Sequence, residues 1–279
     1  ENEKSYAAAS YNVKINDTIN SSIITGHFGE IFKEKDSAIV TKNALAVNII
    51  KNDSLYIHSD TITFTGPDEQ KILKGYYDVR ILKSDVKGLS DSIHFNQRTG
   101  LIKLLKRPKD RKATRNLTDE QKNKINPVIW FDKSQITGDK IFLKSNMVTE
   151  QLDSLIIRGN VFMSQKDSVV DSRFNQIKGE KLDGYFLDGK LNNIFVVKNS
   201  ILLYYMYSDE DEFIGMNKTL SSSILIKFLN NEISEVSFYK SPDGNVMSEN
   251  KIIKNEMKLP GFIWRESERP KTIRDLFSE

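Results

Sequence analysis

Cysteine is absent from this chain of 279 residues. Its absence removes disulfides, thiol catalysis and thiolate metal sites together. An oxidising compartment such as a periplasm is permitted, although a cytosolic protein can lack cysteine as well. Histidine is nearly as scarce: His27, His58 and His94 are the whole supply. His58 and His94 stand on alternating stretches and read as exposed strand residues rather than metal ligands or general bases. No HExxH, His-x-His or carboxylate–histidine cluster accompanies them, so neither metal nor cofactor is expected. Glycine-rich phosphate cradles are missing too. No apolar run approaches the ~20 residues that span a bilayer, and the longest, SILLYYMYS, is strand-sized. The opening ENEKSYAAAS lacks a basic segment followed by an apolar one, so no signal peptide is read there and the chain reads as a mature or trimmed soluble protein. Proline is low, at 6, which leaves most of the chain free to join hydrogen-bonded ladders.

What is present is a strand–turn–strand pattern that recurs. VRILKSDVKGLSDSIHF, VIWFDKSQITGDKIFL and VFMSQKDSVVDSRFNQIKGEKLDGYF each open on an apolar strand, turn through Gly88, Gly138 or Gly179, and re-enter an alternating strand. A looser copy, LLYYMYSDEDEFIGMNKTLSSSILIKF, follows. Repetition of this kind predicts stacking, because each unit needs its neighbours to bury its apolar face. The expected fold is therefore all-β, an elongated antiparallel stack running continuously from Ile23 to Tyr239, with the three glycines at equivalent corners. In SLYIHSDTITFTG the alternation puts Leu55, Ile57 and Ser59 on one face and Tyr56, His58 and Asp60 on the other. LDGK, LNNE and SPDGN read as hairpin turns.

Three regions depart from the pattern. Residues 1–22 are polar and read as a poorly ordered lead-in, with the β-stack assigned to 23–245. Residues 109–126 read as a basic insertion, bracketed by Pro108 and Pro127. Thr118 to Gln121 has capping-box spacing for a short helix. Residues 246–279 form a tail, with Pro270 starting a short terminal helix. Net charge is +3 overall, but Lys103 to Lys124 is strongly basic and the remainder slightly acidic. A nucleic-acid stripe is not indicated; one local basic excursion is.

The recurring acids Asp53, Asp60, Asp85, Asp91, Asp139 and Asp167 could pair as in a glycan-cleaving β-helix. They fall at strand ends and turns, where aspartate caps backbone at little cost. Asp209 to Glu212 lacks the ordered spacing of a calcium loop and reads as a hairpin tip. The inward-facing set by alternation is Val79, Ile81, Ile93, Phe95, Ile129, Phe131, Ile141, Leu143, Leu155, Ile157, Val161 and Met163. Those residues would serve either as a packed core or as the wall of a lipid groove, and alternation alone does not choose.

KGYYDVRILKSDVKGLSDSIHF and IRGNVFMSQKDS resemble the repeat unit of the OstA/LptA lipopolysaccharide transport family. SLYIHSDTITFTG, PVIWFDKSQITGDKIFL, FNQIKGEKLDGYF and LPGFIWRESERPKTIRDLF are similar to its longer OstA-like variant. The resemblance spans roughly residues 23–275. It implies an open-sided β-jellyroll, or taco, with an apolar channel. It also implies a non-enzymatic periplasmic protein that carries lipopolysaccharide or lipid A toward the outer membrane, and edge-strand pairing with other jellyrolls or head to tail with further copies of itself. The twelve inward residues would then bind acyl chains. Lys106, Arg107, Lys109, Arg111, Lys112 and Arg115 would attract anionic headgroups or a membrane surface. A ligand-free β-stacked interaction module and a glycan-active β-helix enzyme stand as the other readings.

Overall fold

The computed structural model describes residues 5–19, 21–50, 53–67, 70–106, 116–230 and 232–278. The fold is all-β and antiparallel, as expected. The chain divides into two compact units. One comprises Glu1–Arg107, Phe142–Leu152 and Ser267–Glu279, the other Pro108–Ile141 and Asp153–Glu266.

In the first unit, β1 (Tyr6–Asp17), β2 (Ser22–Phe32), β3 (Ser37–Ile50), β4 (Asp53–Thr65), β5 (Ile72–Leu82), β6 (Lys87–Asn96) and β7 (Leu101–Leu105) pair in chain order. Short turns and alternation explain the meander: each strand hydrogen-bonds the one that precedes it. Midway along, the ladder skips, between Thr41 and Ala44 on β3, His58 and Thr61 on β4, and Tyr76 and Val79 on β5. On the odd strands the skipped residues have positive φ: Tyr11–Asn12, Lys42–Asn43 and Tyr77–Asp78. Bulges aligned across strands bend the sheet along one line, so every strand has a first and a second arm. On β4 the bend also reverses the alternation. Leu55, Ile57 and Ser59 are buried before it on β4, and Ile62 and Phe64 after it.

Residues 6–17, read from composition as a loose lead-in, are thus a full strand. β1 pairs with β2 from Tyr6↔Phe32 to Asp17↔Ser22. Its side chains are largely exposed, so the ladder orders it rather than burial, and a hydrophobicity reading passes over it. Gly88 is another correction: it pairs with Ile81 inside β6, away from the bend. Gly26 sits at the bend instead, where a Cβ would lie 2.5 Å from Val40 Cγ1.

The second unit contains α1 (Asp119–Ile125), β8 (Val128–Phe131), β9 (Ser134–Thr137), the Lys140–Ile141 end of β10 (Lys140–Ser145), β11 (Leu152–Lys166) from Asp153 onward, β12 (Phe174–Leu187), β13 (Lys190–Tyr207), β14 (Phe213–Leu229), β15 (Glu232–Tyr239) and β16 (Asp243–Met247). The expected capping box is present on α1: Gln121 N–H donates to Thr118 Oγ1 at 3.2 Å, and Thr118 N–H to Gln121 Oε1 at 2.9 Å. β11 to β15 pair consecutively, with LDGK and LNNE as hairpins. SPDGN is not one. β15 and β16 lie along the same edge of β14, one after the other, joined at Lys240–Ser241 with positive φ. They are one strand broken at a bend. Gly159–Asn160 and Lys198–Asn199 bend β11 and β13 in the same way.

The tail's helix is a single 3-10 turn, Ile273–Phe277, capped by Thr272 and Asp275. Residues 257–265 have a different role: they form an extended strap over the outer face of β9, β11 and β12. Gln176 accepts from Leu259 N–H and donates to Met257 O, both at 2.8 Å. Gln135 accepts from Arg265 N–H at 2.6 Å and donates to Ile263 O at 2.8 Å. Leu259 joins Phe162, Leu203, Tyr205 and Met216 in a core beneath the strap. Both faces of β11 are consequently buried from Val161 to Gln165.

Candidate functional site

Bending gives the first unit two facing arms, and side chains leave the space between them unfilled in two places. One cleft, about 350 Å³, has Leu55 and Val86 on the first-arm side, Phe95 and Ile102 on the second, and Leu152 and Met147 closing it. Another, about 410 Å³, lies between Ile15 and Ile24 on the first arm and Ala38 and Phe64 on the second. Ile19 lines both clefts and is 57% exposed. Ile49 and Met147 at the first cleft, and Ile31 at the second, are exposed as well. Aliphatic side chains are exposed here around an unfilled apolar space, which is how a greasy ligand site differs from a finished core.

Polar side chains cross between the arms. Lys71 Nζ lies 3.4 Å from Asp17 Oδ2. Gln97 Nε2 donates to Ser22 Oγ at 2.6 Å, and Asn48 Nδ2 reaches the same oxygen at 3.0 Å. Gln97 Oε1 is buried without a partner. Lys83, mostly buried, is 2.9 Å from Asp85 and 3.4 Å from Asp53. Burial pushes the Asp53 carboxyl up, but the Ser84 hydroxyl and neighbouring donors outweigh it, leaving the group below the ordinary aspartate range.

All twelve residues expected to face inward are buried, from fully enclosed Ile93, Ile129, Ile141, Leu155 and Ile157 to Phe131 at 7% exposure. Phe95 alone among them lines either cleft; Met163 borders a cavity in the second unit, and the others stand in closed packing. Sequence reading missed Ile19, Ile31, Ile49, Val86 and Ile102. Two of these, Ile19 and Val86, lie in connections between strands, where alternation gives no orientation. Of the six basic residues proposed for headgroups, Arg107, Lys109, Arg111, Lys112 and Arg115 lie outside the described residues; Lys106 is half-buried beyond β7.

His58 is not an exposed strand residue. It is 4% exposed, its ring 4.7 Å from that of Phe277 in the 3-10 turn. Burial lowers its pKa. His94 is half-buried, edge-on to Tyr76. No group of three histidine or acidic side chains suited to a metal occurs among the described residues, and no helix there is long and apolar enough to cross a membrane. The acids act locally: Asp53 accepts from Ser54 N–H at 2.7 Å, and Asp167 from Val169 and Val170 N–H at 3.0 and 2.6 Å.

Beneath the second unit's outer face, Arg173 stacks on the Phe213 ring at 4.2 Å and donates to Tyr207 Oη at 3.1 Å, while Tyr207 donates to Asp167 at 3.0 Å. Burial pushes the adjacent Tyr205 phenol up to about 12. Tyr207 and Phe213 pack against the core that holds Leu259, and Arg173 also pairs with Glu249 at 3.0 Å.

No family model matches the chain, and no curated protein matches it. Among solved structures it is similar to LptH, the LptA-homologous periplasmic component of the lipopolysaccharide transport device from Pseudomonas aeruginosa. That match has 12% identity and a TM-score of 0.40, and covers 58% of this chain and 95% of that one. At this level the site rests on its own geometry.

Proposed function

We propose that this chain binds lipopolysaccharide acyl chains between the two arms of its first unit and carries them without chemistry in the periplasm toward the outer membrane. The observation that carries the reading is the pair of unfilled clefts, about 350 and 410 Å³, rimmed by exposed Ile19, Ile31, Ile49 and Met147. An acyl chain gains about 0.8 kcal/mol per buried CH₂, so such a wall binds lipid without directional contacts. The repeat motifs that resemble the OstA/LptA unit supply the choice of lipid. β1 pairs with β2 alone, and β15 with β14 alone, among the described residues. Such edges suit pairing with another jellyroll protein or a second copy. The basic segment from Lys106 to Arg115 is assigned to headgroups.

The test is mass spectrometry of lipid co-purified with the chain, and lipopolysaccharide binding by Ile49→Asp and Ile31→Asp. These side chains are exposed, so the variants fold, and binding should fall at least tenfold, a loss of ~1.4 kcal/mol. Folded variants with unchanged affinity would place the lipid elsewhere. For the basic segment, neutralising residues 109–115 and comparing low with high salt is the measurement. Residues 118–125 stay, because Asn123 donates to the strap at Gly261 O.

A ligand-free scaffold is the second reading, favoured by the other unit. There the cavity beside Met163, Ile177 and Phe228 is about 10 Å³, room for one water at most and none for an acyl chain. Absence of any co-purified or titratable lipid would select it.

A further inference from the structure

The cleft at Leu55 and Phe95 carries polar chemistry that a plain acyl chain leaves unused. Gln97 is 9% exposed and lines it. One end of its amide is held by Ser22 Oγ at 2.6 Å, and the other, Oε1, is buried without a partner. Because a serine hydroxyl both donates and accepts, turning the amide over only exchanges which end is left unsatisfied. A buried amide end in that state costs about 1–3 kcal/mol. Arg98, next in sequence, is exposed and lines the same cleft. Lys83 is already neutralised by Asp85 and Asp53, which leaves Arg98 as the cation available to a ligand. Glu150 is the acid in the lining.

We propose that this cleft is a site for a single-chain amphiphile with an anionic head and a hydroxyl close to it, in chemical terms a hydroxylated fatty acid. The chain lies among Leu55, Val86, Phe95, Ile102 and Leu152, the carboxylate meets Arg98, and the hydroxyl pairs with the free end of Gln97. The terminal torsion of glutamine is broad, so the amide end turns toward the hydroxyl without moving the backbone. At about 350 Å³ the cleft stands near the lower end of small-molecule sites, ~300–1,000 Å³, which suits one chain. The proposal rests on the reading above only in taking the cleft for an acyl-chain site.

The experiment titrates the delipidated full chain with lauric acid and with β-hydroxylauric acid, by calorimetry or by displacement of a fluorescent fatty-acid probe. The hydroxylated acid should bind about tenfold more tightly, the value of one satisfied buried hydrogen-bonding group. In Gln97→Leu, and in Gln97→Met as a second variant, that ratio should collapse to about one. Ser22→Ala breaks the tie across the arms but keeps the amide, so it should keep the preference, which a purely structural glutamine would not predict. Arg98→Gln should weaken both acids alike. Equal affinities in the parent chain, a preference that survives both Gln97 variants, or no binding of either acid overturns the proposal. Lipopolysaccharide binding without acid binding would leave the earlier reading standing and sink this one, and acid binding without lipopolysaccharide would do the reverse.

Discussion

Replacing Gln176 with alanine isolates what holds the strap. The Gln176 side chain makes two hydrogen bonds to strap backbone, accepting from Leu259 N–H and donating to Met257 O, each 2.8 Å long. A net ~0.5–1.5 kcal/mol attaches to each such bond. Leu259 is 2% exposed, so the alanine variant leaves its N–H in a site closed to water, where desolvation alone costs ~1–3 kcal/mol. Allowing for partial relaxation, the variant should lose about 2–3 kcal/mol. Urea unfolding followed by circular dichroism measures the total, and hydrogen exchange at the Leu259 amide measures the local part. Two compact units need not unfold as one, which makes the amide the sharper probe. Gln176→Glu keeps the acceptor for Leu259 but turns a carboxylate toward the Met257 carbonyl, so it should be at least as damaging. If Gln176→Ala stays within ~0.5 kcal/mol of the parent with Leu259 protection unchanged, the strap is held by its apolar side chains and the amide contacts are incidental.

Gly179→Ala places a Cβ against Val196 Cγ1 and should cost about 1–3 kcal/mol by overpacking; adding Val196→Ala should recover much of the loss, and a failure to recover would deny the steric cause. His58 has a folded pKa below its ordinary ~6.5, so the unfolded chain binds the proton more readily. Its contribution is complete above about pH 6.5 and is lost as pH falls through the folded pKa; urea midpoints across that range should decline, and His58→Phe should flatten the slope. Ile141→Asp buries a charge in closed packing and should abolish folding, in contrast to Ile49→Asp at the exposed rim; a folded Ile141→Asp chain deficient only in lipid binding would return the groove to the twelve inward residues.

Much of the fold could be read because strand periodicity is local. Alternation gave the faces of β4 up to Ser59, and Asp188–Gly189 gave a tight hairpin. The bends escaped, and the reason is physical. A bulge with positive φ needs no glycine when asparagine, aspartate or lysine takes the left-handed region, as Asn12, Asn43, Asp78 and Asn199 do. Glycine was therefore an incomplete marker: Gly179 does stand at the skip between Lys178 and Lys181, but Gly88 lies within a strand, and Lys42–Asn43 and Tyr77–Asp78 make bends without glycine. A missed bend inverts the assignments beyond it on β4, where Ile62 and Phe64 rather than Thr61 and Thr63 are buried, because side-chain direction has period two; on β5, where two residues are skipped, Leu73, Val79 and Ile81 keep the same parity.

The inward set was correct in burial and uninformative about the site for a related reason. Alternation separates two faces of a strand but does not say whether either face meets protein or an opening. On β11 both faces are buried from Val161 to Gln165, because a strap more than ninety positions away in sequence covers the outer one through Gln135 and Gln176. On β3, by contrast, Ile49 stays exposed at the cleft that Leu55 of β4 also lines. Core and groove are built from the same residue types, and what distinguishes them is the absence of a partner side chain. That absence belongs to no residue and is therefore written nowhere in the local sequence. The buried Gln97 amide is the exception, for it carries a hydrogen-bonding group with no protein partner, so a polar residue marks this cleft where aliphatic ones cannot.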